Sequence, residues 1–316
     1  MGFFGADGVG KSFFVYRYKN FDISLPRVEK KTGYGHTGFS AEVTDDMKEA
    51  CRRRDFTINS ILIRVTDLEV FDFFNGVEDL RQKTIRMTDQ NSFGDDSLRV
   101  LRGMQFAARF GFRIDKKTVD ICLRIPLDDI SKSRIFAEFE KMFSGDYPWI
   151  GLYYFFKLGI AEKIFCFRIA FIQFLGLCKE LRCAYAFFGS KKGLFLFILL
   201  SSRFVKKEHF LDKISAPKEY RKIIAANTEI PKKISERFLA GIAVRTPVSE
   251  WLGSYKKGVA DGSKKLHLYD GVFVCETTYE TVIKEGFVSG AIGSEYRRRR
   301  AEEIRKKYSK RIVCIK

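Results

Sequence analysis

The sequence predicts an α+β protein in which a small, strand-rich head precedes a long helical remainder. Aromatic and β-branched residues predict strands at 13–18 and 21–25, and Lys19 and Asn20 mark a turn between them. From Asp96 onward, apolar residues recur at helical spacing and the strand pattern fades. The 316 residues are enough for two or more domains with a sizeable core.

The remaining elements follow in chain order. Glycines within 33–38 predict a loop, 58–65 predicts a strand or a helix end, and 69–74 predicts a strand. Carboxylates suit a helix N-terminus, where they meet the free N–H groups and the dipole, so Asp95 and Asp96 mark the start of the first long helix. The predicted helices cover 96–112, 116–124, 131–144, 150–166, 169–189, 191–205 and 232–243. The predicted domains are a head (1–88), a helical neck (89–145), a helical body (146–225) and a helical basic tail (226–316).

The charge balance favours a polyanionic partner. The chain has 57 Lys and Arg against 39 Asp and Glu, a formal net charge of +18, and nucleic acid is the partner such a balance most often serves. A lysine-rich proteome is the alternative explanation. The tail concentrates this charge at Arg297, Arg298, Arg299 and Arg300, which we predict to bind RNA. A solvated helix with Glu302 and Glu303 as partners is the other interpretation.

Cysteine and histidine usage argues against zinc. The seven cysteines form no C-x-x-C pair and only three histidines are present. A scattered, odd set is typical of reduced thiols, so we expect a cytoplasmic protein. No secretory signal opens the sequence, and the longest apolar run, Leu194 to Leu200, is too short to span a bilayer, which predicts no membrane partner.

One apparent phosphate-binding loop is rejected. Residues 5–12 fit G-x-x-x-x-G-K-S, but that motif needs a strand before it and a helix after it. Only four residues precede it, and 13–18 has a strand pattern. ATP hydrolysis that depends on Lys11 would reverse this interpretation.

Two polar segments border apolar runs and suit a nucleotide. They are R-R-D-F-T-I-N at 53–59 and D-D-S-L-R-V-L-R at 95–102. Guanidinium groups suit triphosphate oxygens, and a carboxylate beside a guanidinium can read the edge of a base. A salt-bridged surface is the alternative. The side chains predicted to share one broad side of a helix are Asp96, Arg99, Arg102 and Arg109.

Together these segments resemble the class II RNA nucleotidyltransferase family, which comprises CCA-adding tRNA nucleotidyltransferases and bacterial poly(A) polymerases. The order and spacing of the motifs match the family across about residues 20–145. The sequence of residues 27–39 is closer to that of the CCA-adding enzymes than to that of the poly(A) polymerases. The matching segments are 21–27, 29–39, 53–59, 72–80 and 95–112, with a weaker match through 133–135, Glu138 and Lys141.

The resemblance implies residue roles. Arg54 would contact the incoming nucleotide, with Asp55 and Asn59 shaping the ribose and phosphate site. Asp96 and Arg99 match the family's amino-acid template, which pairs with the base edge of CTP or ATP. The nucleotide-binding set is completed from the same helix by Arg102 and Arg109. Asp22 matches an acidic position beside the family's metal site and is the candidate catalytic and Mg²⁺-binding residue, with a structural role as the alternative.

The sequence also departs from the family pattern. It has no G-G-x-V-R-D segment and no D-x-D pair for two magnesium ions, and residues 10–13 match the family just after that region. The head is therefore expected to be incomplete at its N-terminus. Because the metals stabilise the transition state electrostatically, we expect activity to fall by several orders of magnitude. Gln105 replaces a usual arginine, and Ser97 and Phe73 replace usual prolines.

The predicted function is magnesium-dependent addition of CMP and AMP to the tRNA 3′ end from CTP and ATP, impaired in this chain. One alternative is a non-catalytic RNA-binding remnant, which would lack affinity for CTP and ATP and whose RNA binding Arg99→Ala would leave unchanged. Another is a poly(A) polymerase, which would make long A tails from ATP alone. The oligomeric state is left open.

Overall fold

The structure is a computed structural model that describes residues 7–9, 15–19, 21–31, 39–189, 193–226, 230–231 and 233–315. Its contacts divide the chain into two units. The first comprises Met1–Cys178 with Phe204–Ala216, and the second comprises Lys179–Arg203 with Pro217–Lys316. The predicted head and neck both fall within the first unit, and the limits of the four predicted domains stay predictions.

Strands and helices follow the predicted α+β order. The strands are β1 Asp7–Val9, β2 Val15–Tyr18, β3 Phe21–Ser24, β4 Arg27–Lys31, β5 Phe39–Val43, β6 Leu62–Ile63, β7 Val70–Phe71, β8 Thr84–Ile85, β9 Arg113–Ile114, β10 Lys233–Ser235 and β11 Ile312–Ile315. The helices are α1 Met47–Arg52, α2 Gly76–Arg81, α3 Leu98–Phe110, α4 Lys116–Arg124, α5 Lys132–Phe143, α6 Pro148–Lys157, α7 Ile160–Phe165, α8 Phe171–Phe188, α9 Gly193–Ser201, α10 Lys207–Lys213, α11 Lys218–Ala226, α12 Glu236–Ala243, α13 Val259–Lys265, α14 Tyr279–Lys284 and α15 Gly290–Lys307. Short 3₁₀ turns are formed by Thr57–Asn59, Phe93–Asp95 and Val248–Glu250.

The early strands form small antiparallel sheets. Strands β1, β2 and β3 pair in chain order, with Tyr18 opposite Phe21. Lys19 adopts φ 52° at the predicted turn, where a left-handed residue is typical. Strands β4 and β5 pair with each other, and the predicted glycine loop between them lies outside the described residues. Of the rejected phosphate-loop motif, the described part is strand β1 rather than a loop leading into a helix.

Helix limits follow local chemistry. Asp115 caps α4 by accepting from the Thr118 backbone N–H at 3.3 Å, and α4 has the predicted limits. The predicted helix 150–166 is wrong as one element, because Gly159 at φ 72° separates α6 from α7. The predicted helix 232–243 begins only at Glu236, since the three residues before it pair as β10 with β11. The tail therefore contains a two-stranded sheet that periodicity did not predict.

The first unit has its core where α3 packs on α5 and α6. Phe139 of α5 lies at its centre, with its ring centroid 5.6 Å from that of Phe155 and 6.3 Å from that of Phe210. In the second unit, Trp251 is 1% exposed within a cluster from α12, α13 and neighbouring segments. Among the helices that the structure describes, none combines the length and apolar character needed to cross a membrane.

Candidate active site

Asp55 is the centre of the candidate site. Its side chain is buried, with 6% of the residue exposed. Oδ1 accepts from the Phe56 backbone N–H at 2.9 Å and from Asn59 Nδ2 at 3.0 Å. Oδ2 lies 2.5 Å from Arg102 Nε. The carboxylate thus ties the 53–59 segment to helix α3, as a buried charge requires hydrogen-bonded partners.

The 3₁₀ turn after Asp55 is held by helix α2. Thr57 Oγ1 donates to Asp79 Oδ2 at 2.7 Å, and Asp79 is 4% exposed. Arg86 Nε lies 3.2 Å from the same carboxylate oxygen. A Cβ atom on Gly76 would lie 2.3 Å from the Thr57 carbonyl oxygen, so only glycine permits this approach. The turn is therefore positioned by packing from outside its own segment.

Helix α2 is itself anchored by Asp72. Its Oδ1 accepts from the Gly76 backbone N–H at 2.7 Å, and its Oδ2 accepts from the Val77 backbone N–H at 2.9 Å. These bonds satisfy N–H groups that the first turn of a helix leaves free. Asp72 thus fixes the helix that supports the Thr57–Asn59 turn.

A cavity of about 510 Å³ opens beside this turn and α3. Two arginines and one lysine line it, together with Gln105 and Asn59. Gln105 is 5% exposed and adds a neutral amide to a wall that is mostly polar. The cationic lining residues are Arg102, Arg109 and Lys141. This excess of positive charge suits a phosphate-bearing ligand.

The cations of the cavity are held differently. Arg109 is exposed, and its guanidinium carbon lies 5.1 Å from the Phe110 ring centroid. Lys141 Nζ donates to Glu138 Oε1 at 2.8 Å, and Glu138 is 3% exposed. Arg102 is fixed through Asp55. Arg109 is therefore the lining cation with the greatest freedom to follow a ligand.

Arg54 lies at the edge of the same segment. It is exposed, and its Nη1 donates to the Asn59 carbonyl oxygen at 3.1 Å. This bond directs the guanidinium along the turn that carries Asn59. Arg54 is thereby adjacent to the cavity-lining part of the segment.

The side chains of Asp96 and Arg99 have separate partners in the structure, although the Arg99 backbone N–H donates to the Asp96 carbonyl oxygen at 3.1 Å. Asp96 has extended backbone before α3 and forms an ion pair with Arg134, 3.4 Å from Oδ2 to Nη2. Arg99 donates through Nη1 to the Ser92 carbonyl oxygen at 2.7 Å and through Nη2 to the Arg53 carbonyl oxygen. The prediction that Asp96 shares one helical side with the three arginines is wrong, because α3 begins only at Leu98.

Two family models match the chain on either side of α3. Residues 9–86 match the model of the poly A polymerase head domain, and residues 111–167 match that of the probable RNA and SrmB-binding site of polymerase A. A CCA-adding enzyme of Buchnera aphidicola subsp. Cinara cedri (strain Cc) is 41% identical over 155 residues, which are 45% of this chain and 36% of that protein. These matches confirm the resemblance to the class II RNA nucleotidyltransferase family. The match spans little more than a third of that relative's length.

Solved members of this family share the fold. A CCA-adding enzyme in an apo form superposes with a TM-score of 0.63 at 19% identity, covering 98% of this chain and 80% of the other. A tRNA nucleotidyltransferase complexed with a primer tRNA and an incoming ATP analog superposes with a TM-score of 0.54 at 24% identity, covering 70% of this chain and 68% of the other. The family resemblance and the α+β fold class predicted from the sequence are both confirmed.

The predicted metal ligand lies mostly outside the described structure. The backbone of Asp22 is on β3 opposite Arg17, and its side chain is outside the described residues. In the part of the chain that is described, no three His, Cys, Asp or Glu side chains group as a metal site. The described residues therefore do not by themselves form the divalent-metal site that the resemblance implies.

The four tail arginines differ in their partners. Arg298 forms an ion pair with Glu295 at 2.7 Å and another with Glu302. Arg299 pairs with Glu295 at 2.7 Å and with Glu285. These arginines lower the pKa of Glu295 to about 2. The remaining two donate to hydroxyl groups: Arg297 to Ser294 Oγ at 3.4 Å and Arg300 to the Tyr296 hydroxyl at 2.9 Å.

Some residues of the site had no assigned role in the sequence. Lys141 and Gln105 are motif positions to which the sequence assigns no role, yet both line the cavity. The sequence does not predict the support from Asp79, because its partners Thr57 and Arg86 are 22 and 7 positions away. Local pattern carries no signal for such a contact. The contact between Lys141 and Glu138 does have a signal in the sequence, because the two residues are three positions apart on a predicted helix.

Proposed function

We propose that this chain binds CTP and ATP in the cavity beside Asp55. We also propose that it acts in the addition of CMP and AMP to the 3′ end of tRNA. The observation that carries the proposal is the buried Asp55 carboxylate, which joins Asn59 and Arg102 across two segments at the wall of a cationic cavity. Conversion of tRNA by this chain remains a proposal, because the chain matches only part of its relatives' length.

The lining chemistry supports triphosphate binding. Arg102 and Arg109 offer guanidinium donors, and Lys141 adds a compact charge. Asp55 positions rather than reacts, since its two oxygens are already occupied by Asn59, Arg102 and a backbone N–H. A preorganised guanidinium costs less entropy on binding than a free one.

Base recognition is proposed for Asp96 and Arg99 at the beginning of α3. The Asp96 carboxylate is 29% exposed and its contact with Arg134 is long, at 3.4 Å. A ligand base can therefore compete for its free acceptor positions. Arg99 is held against two backbone carbonyls, which fixes the neighbouring loop and orients the remaining donors.

We further propose that this chain alone transfers nucleotides poorly. Nucleotidyltransferases generally use divalent metal ions, which stabilise the charge that develops during phosphoryl transfer. The 316 residues contain no D-x-D pair. Nucleotide binding through the cationic cavity does not depend on that pair, so binding and catalysis are expected to separate in this protein.

Calorimetric titration of the chain with CTP and with ATP tests the binding proposal. Arg109→Ala should weaken both nucleotides about tenfold, because a charge-assisted contact is lost. Arg124→Ala on α4 is the matched control, since Arg124 is exposed and absent from the cavity wall. A wild-type chain without affinity for either nucleotide would overturn the proposal and favour an RNA-binding protein.

Incorporation of labelled nucleotides into tRNA lacking its CCA end tests the reaction. We expect trace addition of C and A, several orders of magnitude below that of a CCA-adding enzyme assayed alongside. Vigorous addition would contradict the proposed impairment. Long A tails formed from ATP alone would identify polyadenylation instead.

A further inference from the structure

A second cavity, of about 530 Å³, lies in the second unit between residues 272–280 and helix α15. Its wall contains Tyr279, Tyr296 and Arg300 beside the apolar side chains of Val272 and Val274. Those two valines are 51% and 79% exposed, so the apolar part of the wall is open to solvent. Aromatic, apolar and cationic groups together form a surface of the kind that receives a flat ring.

The two tyrosines form a stacked pair at this cavity. Their ring centroids are 4.0 Å apart with an interplanar angle of 28°. Tyr279 is 51% exposed, so the stack ends at an accessible ring. Arg300 lies with its guanidinium carbon 4.8 Å from the Tyr296 centroid and donates to the Tyr296 hydroxyl at 2.9 Å. Any nucleobase can extend such a stack, because every base has a flat aromatic face.

The segment that carries Tyr279 is fixed to α15. Glu303 accepts from the Glu276 backbone N–H at 2.8 Å and from the Thr277 backbone N–H at 3.0 Å. Burial opposes the charge of Glu303, yet these donors and the Thr277 hydroxyl lower its pKa. Thr278 then caps α14, directly before Tyr279. The aromatic stack is therefore preorganised, which reduces the entropy lost on binding.

The charge around the stack suits a phosphate backbone. Within the described part of the chain, Arg297 and Arg300 have no ion pair with a carboxylate, whereas Arg298 and Arg299 do. Lys307 adds a further exposed cation on the same helix. Glu280 is the acidic residue of the cavity wall, and it is exposed. Glu303, whose pKa the charge of Arg300 also helps to lower, counts as a second carboxylate. The three cations therefore exceed the two carboxylates by one charge.

We infer that the Tyr279–Tyr296 stack holds an unstacked base of a single-stranded RNA segment, with Arg300 and Arg297 on the neighbouring phosphates. The inference rests on the proposed function only in taking RNA as the partner. It names a separate site, since every residue involved belongs to the second unit. It also divides the four predicted RNA-binding arginines into two that contact RNA and two that hold the helix.

Fluorescence titration with a short oligoribonucleotide carrying one fluorescent adenine analogue tests this site in the full chain. Binding should quench the analogue, because a stacked base loses emission. Tyr279→Ala should weaken binding about 5- to 150-fold and abolish the quenching. Tyr279→Phe should retain both, since the ring persists. Tyr269→Ala is the matched control: this tyrosine of the same unit also lies beside a cation, 4.9 Å from Lys264, and its loss should change nothing.

The salt dependence separates stacking from charge. Tyr279→Ala should leave the slope of log affinity against log salt unchanged, whereas Arg300→Ala should reduce it by about 0.7. Wild-type affinity in Tyr279→Ala, or an equal loss in Tyr269→Ala, would overturn the inference. So would a wild-type chain that binds a protein partner but no RNA. CTP titration of each variant reports on the first unit, so failure of the nucleotide site is distinguishable from failure here.

Discussion

Arg102 Nε lies 2.5 Å from Asp55 Oδ2, although 47 positions separate the two residues. The Asp55 side chain is 6% exposed and that of Arg102 is 28% exposed. One ion pair thus closes the 53–59 segment onto α3 and places an arginine in the cavity wall. Stability and ligand binding share this contact.

Replacing Arg102 by alanine should therefore destabilise the protein as well as weaken nucleotide binding. The buried Asp55 charge would lose its ionic partner, which we expect to lower the free energy of unfolding by about 3 kcal/mol. Urea denaturation measures the change. Arg109→Ala, on the same helix but exposed, should cost less than about 0.5 kcal/mol. Equal stability of the two variants would contradict the structural role of the ion pair.

Gly76→Ala should disrupt the site from its supporting helix. The added Cβ atom would lie 2.3 Å from the Thr57 carbonyl oxygen, so α2 and the turn must move apart. We expect a loss of about 3 kcal/mol in the free energy of unfolding, and weaker CTP binding. Gly176→Ala on α8 is the control, because its Cβ would meet nothing within 4 Å. That helical substitution should be neutral or stabilise by up to about 1 kcal/mol.

Elements whose chemistry is local could be predicted from the sequence. The hairpin of β2 and β3 follows from its aromatic and β-branched residues and from the turn at Lys19. Helix α4 has its predicted limits because Asp115 caps it and its apolar positions recur at helical spacing. Both signals lie within a few residues of the element they define.

Contacts between distant segments could not be predicted from those patterns. The sequence predicts Asp96 and Arg99 on one side of a helix, whereas their side chains have separate tertiary partners. A glycine is compatible with the interior of a helix or with its end, and Gly159 adopts a left-handed φ of 72° between α6 and α7. The family resemblance predicts which residues contact the nucleotide. The geometry shows which of them line the cavity and which fix the loops around it.

Stability of the second unit should depend on pH through Glu180. Burial opposes the charge of this carboxylate, but hydrogen-bond donors outweigh burial and lower its pKa from 4.5 to about 2. The donors are Lys256, Tyr255 and Arg203. Because the folded pKa is depressed, the carboxylate stabilises the fold above its unfolded pKa, and this contribution is lost as pH falls towards the folded value.

Glu180→Gln tests this linkage by denaturation at several pH values. Near neutrality the variant should be less stable by about 3 kcal/mol, the free-energy equivalent of the pKa shift. The difference should shrink as pH falls below about 4.5 and nearly vanish near pH 2. Glu219→Gln, at an exposed position of α11, should change stability by less than about 0.5 kcal/mol throughout. A difference for Glu180→Gln that persists unchanged in acid would contradict the assignment.

Asp96→Asn should alter the choice between CTP and ATP rather than the affinity for both. Asparagine keeps an oxygen acceptor for the Leu98 backbone N–H, which Asp96 Oδ1 now accepts at 3.1 Å, but it removes the charge and replaces one acceptor by a donor. If Asp96 reads the base edge, the ratio of CTP to ATP affinity should change about tenfold. Arg109→Ala should weaken both nucleotides equally, because a phosphate contact does not distinguish bases. Parallel calorimetric titrations of the two variants with CTP and ATP measure these ratios. An unchanged ratio of CTP to ATP affinity in Asp96→Asn would contradict a role for this residue in base recognition.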